Sequence, residues 1–190
     1  MKEQMQPLNP TLWRTCRVLS GHSRLRLLRL LHDAPGQCVS ALADLAGIGV
    51  SDASQELRRI QSRGLLRPEH RGSRLVYRMK ADPQVASAAP LLKALNNAFA
   101  RIPPEQDAAM ASIATGLAHP RRIAIAKVLM KSNLDSLDLR AATRIPRGPL
   151  SLHLDTLEAG GWVRRKKRAL SFHIPEHPLA QALFRLIQSN

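Results

Sequence analysis

The chain has 190 residues, of which 29 are Lys or Arg and 14 are Asp or Glu, giving a formal net charge of +15. Its two cysteines, Cys16 and Cys38, are too few for a disulfide framework or a four-thiolate zinc site, and no apolar run reaches the length of a membrane span. The first hundred residues hold 15 basic and 7 acidic side chains and the rest hold 14 and 7, so both halves favour a polyanionic partner, nucleic acid first.

Residues 1–7 lack the apolar stretch of a secretory leader, and the chain is expected to be cytoplasmic. Asn9-Pro10-Thr11 predicts a helix start, leading into apolar periodicity through Leu12, Trp13, Cys16 and Leu19. After Gly21-His22-Ser23 a second helix is predicted, with Leu25, Leu28 and Leu31 inward and Arg26 and Arg29 outward. Ala34-Pro35-Gly36 ends it. Residues 39–46 read as a short helix burying Leu42 and Leu45, and Gly47-Ile48-Gly49 as a tight turn. Ser51 or Asp52 then caps a helix to about Arg63, with Ala53, Leu57 and Ile60 on one buried face and Gly64 as left-handed terminator. Residues 65–67 and 74–79 read as strands joined by a basic loop over 69–73. A helix over about 83–100 follows, then Arg101-Ile102-Pro103-Pro104 and a further helix start at Pro104-Glu105.

The plan then recurs. Arg24-Leu25-Arg26-Leu27-Leu28 returns as Arg122-Ile123-Ala124-Ile125-Ala126, Ser54-Gln55-Glu56-Leu57 as Ser151-Leu152-His153-Leu154, and Gly64-Leu65-Leu66-Arg67 as Gly161-Trp162-Val163-Arg164. The offset is 98 in the first segment, 97 in the next two and 95 beyond them. A period of this length is that of a domain, which predicts a duplication with domains over 1–101 and 102–190. In the second copy Leu150, Leu154 and Leu157 repeat the buried stripe, and the hairpin, shorter by two residues, becomes the cationic run Arg164-Arg165-Lys166-Lys167-Arg168.

Two helices about a glycine turn, followed by a β-hairpin, form a winged helix-turn-helix. In its Ser23-Arg24-Leu25-Arg26-Leu27-Leu28, Ser54-Gln55-Glu56-Leu57, Arg63-Gly64-Leu65-Leu66 and Gly72-Ser73-Arg74-Leu75-Val76-Tyr77-Arg78 segments the chain resembles the ArsR-type winged-helix repressors of bacteria. The second copy matches through His119-Pro120-Arg121-Arg122-Ile123, Ser151-Leu152-His153-Leu154 and Glu158-Ala159-Gly160-Gly161-Trp162-Val163. The resemblance covers roughly residues 12–80 and 108–174. It implies a mainly α fold with small β wings, in which two tandem winged helix-turn-helix domains related by pseudo-twofold symmetry make a single-chain pseudo-dimer. It further implies a sequence-specific regulator of transcription, a repressor, that binds operator DNA, with an effector of unknown chemistry and further dimerisation left open.

Many family members sense metals through a Cys-Val-Cys-Asp-Leu segment. The corresponding residues here are Cys38-Val39-Ser40-Ala41-Leu42 and Asp135-Ser136-Leu137-Asp138-Leu139, one thiol and none, so neither a metal nor another cofactor is expected.

DNA binding of this kind needs base readers and phosphate clamps. In the first copy Ser54, Gln55 and Arg58 are the candidate readers, and Ser51, Arg59, Arg71 and Arg74 the candidate clamps; Asp52 and Glu56 oppose phosphate. In the second, Arg144 and Arg147 precede the helix, Ser151 and His153 lie on it, and Lys166, Lys167 and Arg168 form the wing. Leu152 replaces Gln55, so the two readers differ and an asymmetric site is expected. Two alternatives stay open, a protein-interaction winged-helix module and a low-specificity nucleic-acid binder. No nucleophile–base pair, phosphate loop or carboxylate pair stands out, and no enzymatic activity is expected.

Overall fold

A computed structural model describes residues 11–189; the predicted helix start at Asn9-Pro10 lies outside the described residues. The chain is mainly helical, with small antiparallel sheets, and none of its described helices is long and apolar enough to cross a membrane. It divides into two compact units. One is Gly21–Asp107; the other joins Leu12–Ser20 to the chain from Ala108 on.

In the first unit, α2 (His22–Asp33) buries Leu25, Leu27, Leu28 and Leu31, none more than 1% exposed. Each such leucine contributes about 1.5–3 kcal/mol through burial. Arg29, expected outward, is instead buried. Its guanidinium donates to the Asp107 carboxylate (2.6 and 2.9 Å) and to the carbonyls of Phe99 (3.1 Å) and Ile102 (3.0 Å), and lies over the Phe99 ring. The leucines occupy so much of the helix circumference that this arginine falls within the apolar arc, and carbonyls at the C-terminal end of the helix over Ala88–Arg101 help satisfy its donors.

Next come β1 (Gln37–Cys38), α3 (Val39–Ala46) and α4 (Val50–Gln61), with α2 packed on both helices. Leu42 is buried on α3, whereas Leu45, expected inward, is 52% exposed because Ala43 takes the inner position beside Leu42. α4 begins before Ser51. Its N-cap is Gly49, whose carbonyl already accepts from the Ala53 amide (2.9 Å), so Ser51 and Asp52 are exposed first-turn residues rather than caps. The hairpin of β2 (Arg67–Arg71) and β3 (Arg74–Arg78) closes over Gly72-Ser73, so much of the predicted loop is strand. β1 pairs on β3 to give the order β1-β3-β2. α5 (Ala88–Arg101) and a 3-10 turn (Pro104–Gln106) complete the unit.

In the second unit, α1 (Leu12–Leu19) buries Leu12, Cys16 and Leu19, and α6 (Asp107–Leu117) buries Met110, Ile113, Ala114 and Leu117. Trp162, fully buried, donates its indole N–H to the Ile113 carbonyl (2.8 Å). Gly116 allows that approach, since a Cβ there would lie 2.4 Å from the indole. The order then repeats that of the first unit: α7 (Pro120–Leu129), α8 (Ser136–Thr143), α9 (Arg147–Ala159), a hairpin of β4 (Val163–Lys166) and β5 (Ala169–Phe172), and α10 (Pro178–Gln188). A single bridge, Leu134 to Leu170, stands where β1 pairs with β3.

The register also shows how the second hairpin is trimmed. Pro68 lies opposite Tyr77, which in turn faces Gln37; Arg165 lies opposite Leu170, which faces Leu134. Beyond those points the first hairpin runs on to the Arg71–Arg74 pair and the second only to Lys166–Ala169. Each strand has lost two residues, twice the loss read from the sequence, and the two-residue turn is kept.

Candidate nucleic-acid interface

On α4 the buried face of Ala53, Leu57 and Ile60 leaves Gln55, Arg58 and Arg59 exposed and Ser54 half-buried. Glu56 sits between two arginines, accepting from Arg24 of α2 (2.5 Å) and from Arg59. Its charge is thereby compensated, which removes much of its opposition to an approaching phosphate and ties Arg59 to the helix. Arg71 and Arg74 are exposed and directly opposite each other at the hairpin tip. Like charges so placed repel, and an anion between them relieves the repulsion.

In the second unit Arg144 precedes α9, and Arg147 is the first residue of the helix rather than lying before it. Both are exposed, as are Ser151 and the neighbouring Leu152, which is 69% exposed. His153 is half-buried, its ring 4.6 Å from that of His119, the N-cap of α7. Burial, then the neighbouring cations Arg122 and Arg121, hold the His119 ring below its ordinary pKa, with Arg17 adding to the effect. For His153 burial again leads, followed by His119, Arg122 and Arg121. Both rings therefore favour the neutral form more than a free histidine does. In the wing, Lys166 ends β4, and Lys167 and Arg168 form the turn, all exposed. Arg165 is drawn back onto α9 by Asp155 (3.4 Å) and Glu158 (3.2 Å).

Arg144 and Lys167 have positive φ, 54° and 57°, as no other described non-glycine residue does. At an offset of 97 Arg144 corresponds to Gly47 (φ 69°), and in the hairpin turn Lys167 corresponds to Gly72 (φ 60°). Cations thus stand at two positions where the other copy carries the residue that fits without strain.

One basic residue was missed by reading the sequence. Arg140, exposed on α8, shares a cleft with Arg147, Ser151 and Arg165, and the comparison that reveals it is with Ala43 of the first copy. The cysteines are free thiols. Burial pushes Cys16 up to about 12, while a hydrogen bond with the Ser40 hydroxyl (3.2 Å) holds Cys38 below its ordinary value. Among the described residues no group of three or more His, Cys, Asp or Glu could hold a metal ion. Comparison with family models, curated proteins and solved structures found no match to the chain.

Proposed function

We propose that this chain is a sequence-specific, double-stranded DNA-binding regulator of transcription, acting as a repressor. In this reading each unit is a winged helix-turn-helix of ArsR type, with α4 and α9 as reader helices and the hairpins as wings. The observation that carries it is the placement of charge. In both units a helix with a buried apolar stripe is followed by a hairpin whose outermost cations have no carboxylate partner among the described residues: Arg71 and Arg74 in one, Lys166, Lys167 and Arg168 in the other. Glu56 is compensated by Arg24 and Arg59, and Asp155 and Glu158 share Arg165, whereas Asp52 stays exposed on the first turn of α4 with no cation partner among the described residues. Gln55 suits an adenine edge and Arg58 a guanine edge, while Leu152 in the second unit suits at most a thymine methyl. The preferred site is therefore asymmetric.

The exposure of Leu137 (70%) and Leu152 (69%) favours a second reading for the second unit alone, that of a protein-interaction module. Selection of bound duplexes from a random library, followed by gel shifts at two salt concentrations, separates the readings. A regulator recovers one asymmetric motif whose preference survives the higher salt. Equal penalties at mirror-related base pairs count against asymmetry, and a motif confined to one half-site assigns the second unit to protein contact. Binding without a motif that collapses with salt signifies a charge-driven binder.

A further inference from the structure

Between α8, α9 and β4 lies a cavity of about 420 Å³, in the size range of small-molecule sites. Its floor is apolar, formed by Leu150 and Leu154, each 3% exposed. Its lining includes three arginines from three different elements: Arg140 of α8, Arg147 of α9 and Arg165 of β4. Arg165 is engaged by Asp155 and Glu158, but Arg140 and Arg147 have no carboxylate partner among the described residues. Cations that line one cleft without a counter-charge repel one another, and an anion seated among them relieves the repulsion.

The duplication supplies an internal control. At the offset of 97, which the hairpin register supports by matching Arg165 to Pro68, the three arginines correspond to Ala43, Val50 and Pro68. Leu150 corresponds to Ala53, and the exposed Leu137 at the cleft's edge to Ser40. A first unit with the same element order therefore carries none of the three cations and less of the apolar surface. What they serve is peculiar to the second unit and is not a requirement of the fold or of a duplex contact common to both.

We propose that this cleft binds a small amphipathic organic anion. Its carboxylate or phosphate head lies between Arg140 and Arg147, the geometry guanidinium groups favour, and its apolar tail runs over Leu150 and Leu154 towards Leu137. Arg165 is a positioning residue that forms the third wall through its hold on α9. A duplex phosphate would satisfy the arginines but has no use for the leucine floor.

The inference does not rest on duplex binding and is tested without DNA. Calorimetry on the full chain would use sodium octanoate and octyl phosphate, with 1-octanol and inorganic phosphate as the tail-only and head-only probes. Saturable binding of at least one amphiphile is expected, stronger than either partial probe by about tenfold or more. Arg140→Gln, and Arg140→Ala which installs the first unit's residue, should each weaken it about tenfold, whereas Lys93→Gln on α5 makes the same charge change and leaves it unaltered. Circular dichroism of each variant verifies its fold. A preference of octanoate over octyl phosphate, or the reverse, identifies the head. Absence of saturable binding, inorganic phosphate binding as tightly as the amphiphiles, or unchanged affinity in both Arg140 variants would overturn the proposal. So would an Arg140→Gln chain that loses duplex affinity alone.

Discussion

Arg29 shows how a single residue escapes a periodicity argument. Its spacing from Arg26 puts it among the outward cations, yet Leu27 and Leu28 widen the apolar arc to include it, and its partner Asp107 lies 78 residues along the chain. Asp107→Ala leaves a buried guanidinium without its counter-charge and should lower the unfolding free energy by about 3 kcal/mol or more in a denaturant titration. Asp107→Asn, which keeps an acceptor, should cost less. Arg144 and Lys167 pose the opposite case, with strain kept at the surface. Replacing either by glycine relieves a left-handed backbone but adds chain entropy to the unfolded state, for a net gain of about 0.5–1 kcal/mol. If these cations meet phosphate, the same variants bind duplex more weakly, with a salt slope smaller by about 1. Stability and affinity moving in opposite directions is the expected signature; unchanged duplex binding would remove both residues from the interface.

At the scale of elements, the two reader helices have diverged. α4 keeps Glu56 between Arg24 and Arg59, whereas α9 carries His153 at that position, its ring tilted against that of His119. Both rings are held below the ordinary histidine pKa by burial and by Arg122 and Arg121, with Arg17 of α1 also acting on His119. A histidine in the unfolded chain takes up its proton near pH 6.5. As pH falls below that value the unfolded state binds protons that the folded pair refuses, so stability present above it is lost on acidification. The thermal midpoint should therefore drop between about pH 7.5 and 5.5, and His153→Gln should flatten the drop. His119→Asn should do the same while retaining an N-cap acceptor for α7. The helices themselves were legible because leucine spacing and glycine turns are local signals: α3 has its expected bounds, and Leu150, Leu154 and Leu157 are buried as a stripe. The start of α4 and the trimming of the second hairpin were not, since one depends on the Gly49 carbonyl and the other on strand register.

For the whole molecule, the recurrence in the sequence corresponds to a recurrence in element order, down to the bridge that stands in for β1. Sequence order alone could not show that α1 belongs with the second unit, because that membership is set by packing. Nor could it show the α8–α9 cleft, whose lining residues come from three separate segments. Surface position was more legible, because polar spacing is a local signal: twelve of the fourteen candidate contact residues are exposed and the other two, Ser54 and His153, are half-buried. At this scale the proposed function predicts a protein whose affinity has two parts, a salt-dependent grip from the wings and a salt-tolerant preference from the reader helices. Alanine at both Gln55 and Arg58 should erase about 1–3 kcal/mol of discrimination per contact while leaving affinity for unrelated duplex nearly intact. The most direct measurement is competition at about 0.15 M salt between the selected duplex and a scrambled duplex of equal length and composition. Preference for the selected site by about a thousandfold or more is the predicted result, and equal affinity for the two would contradict it.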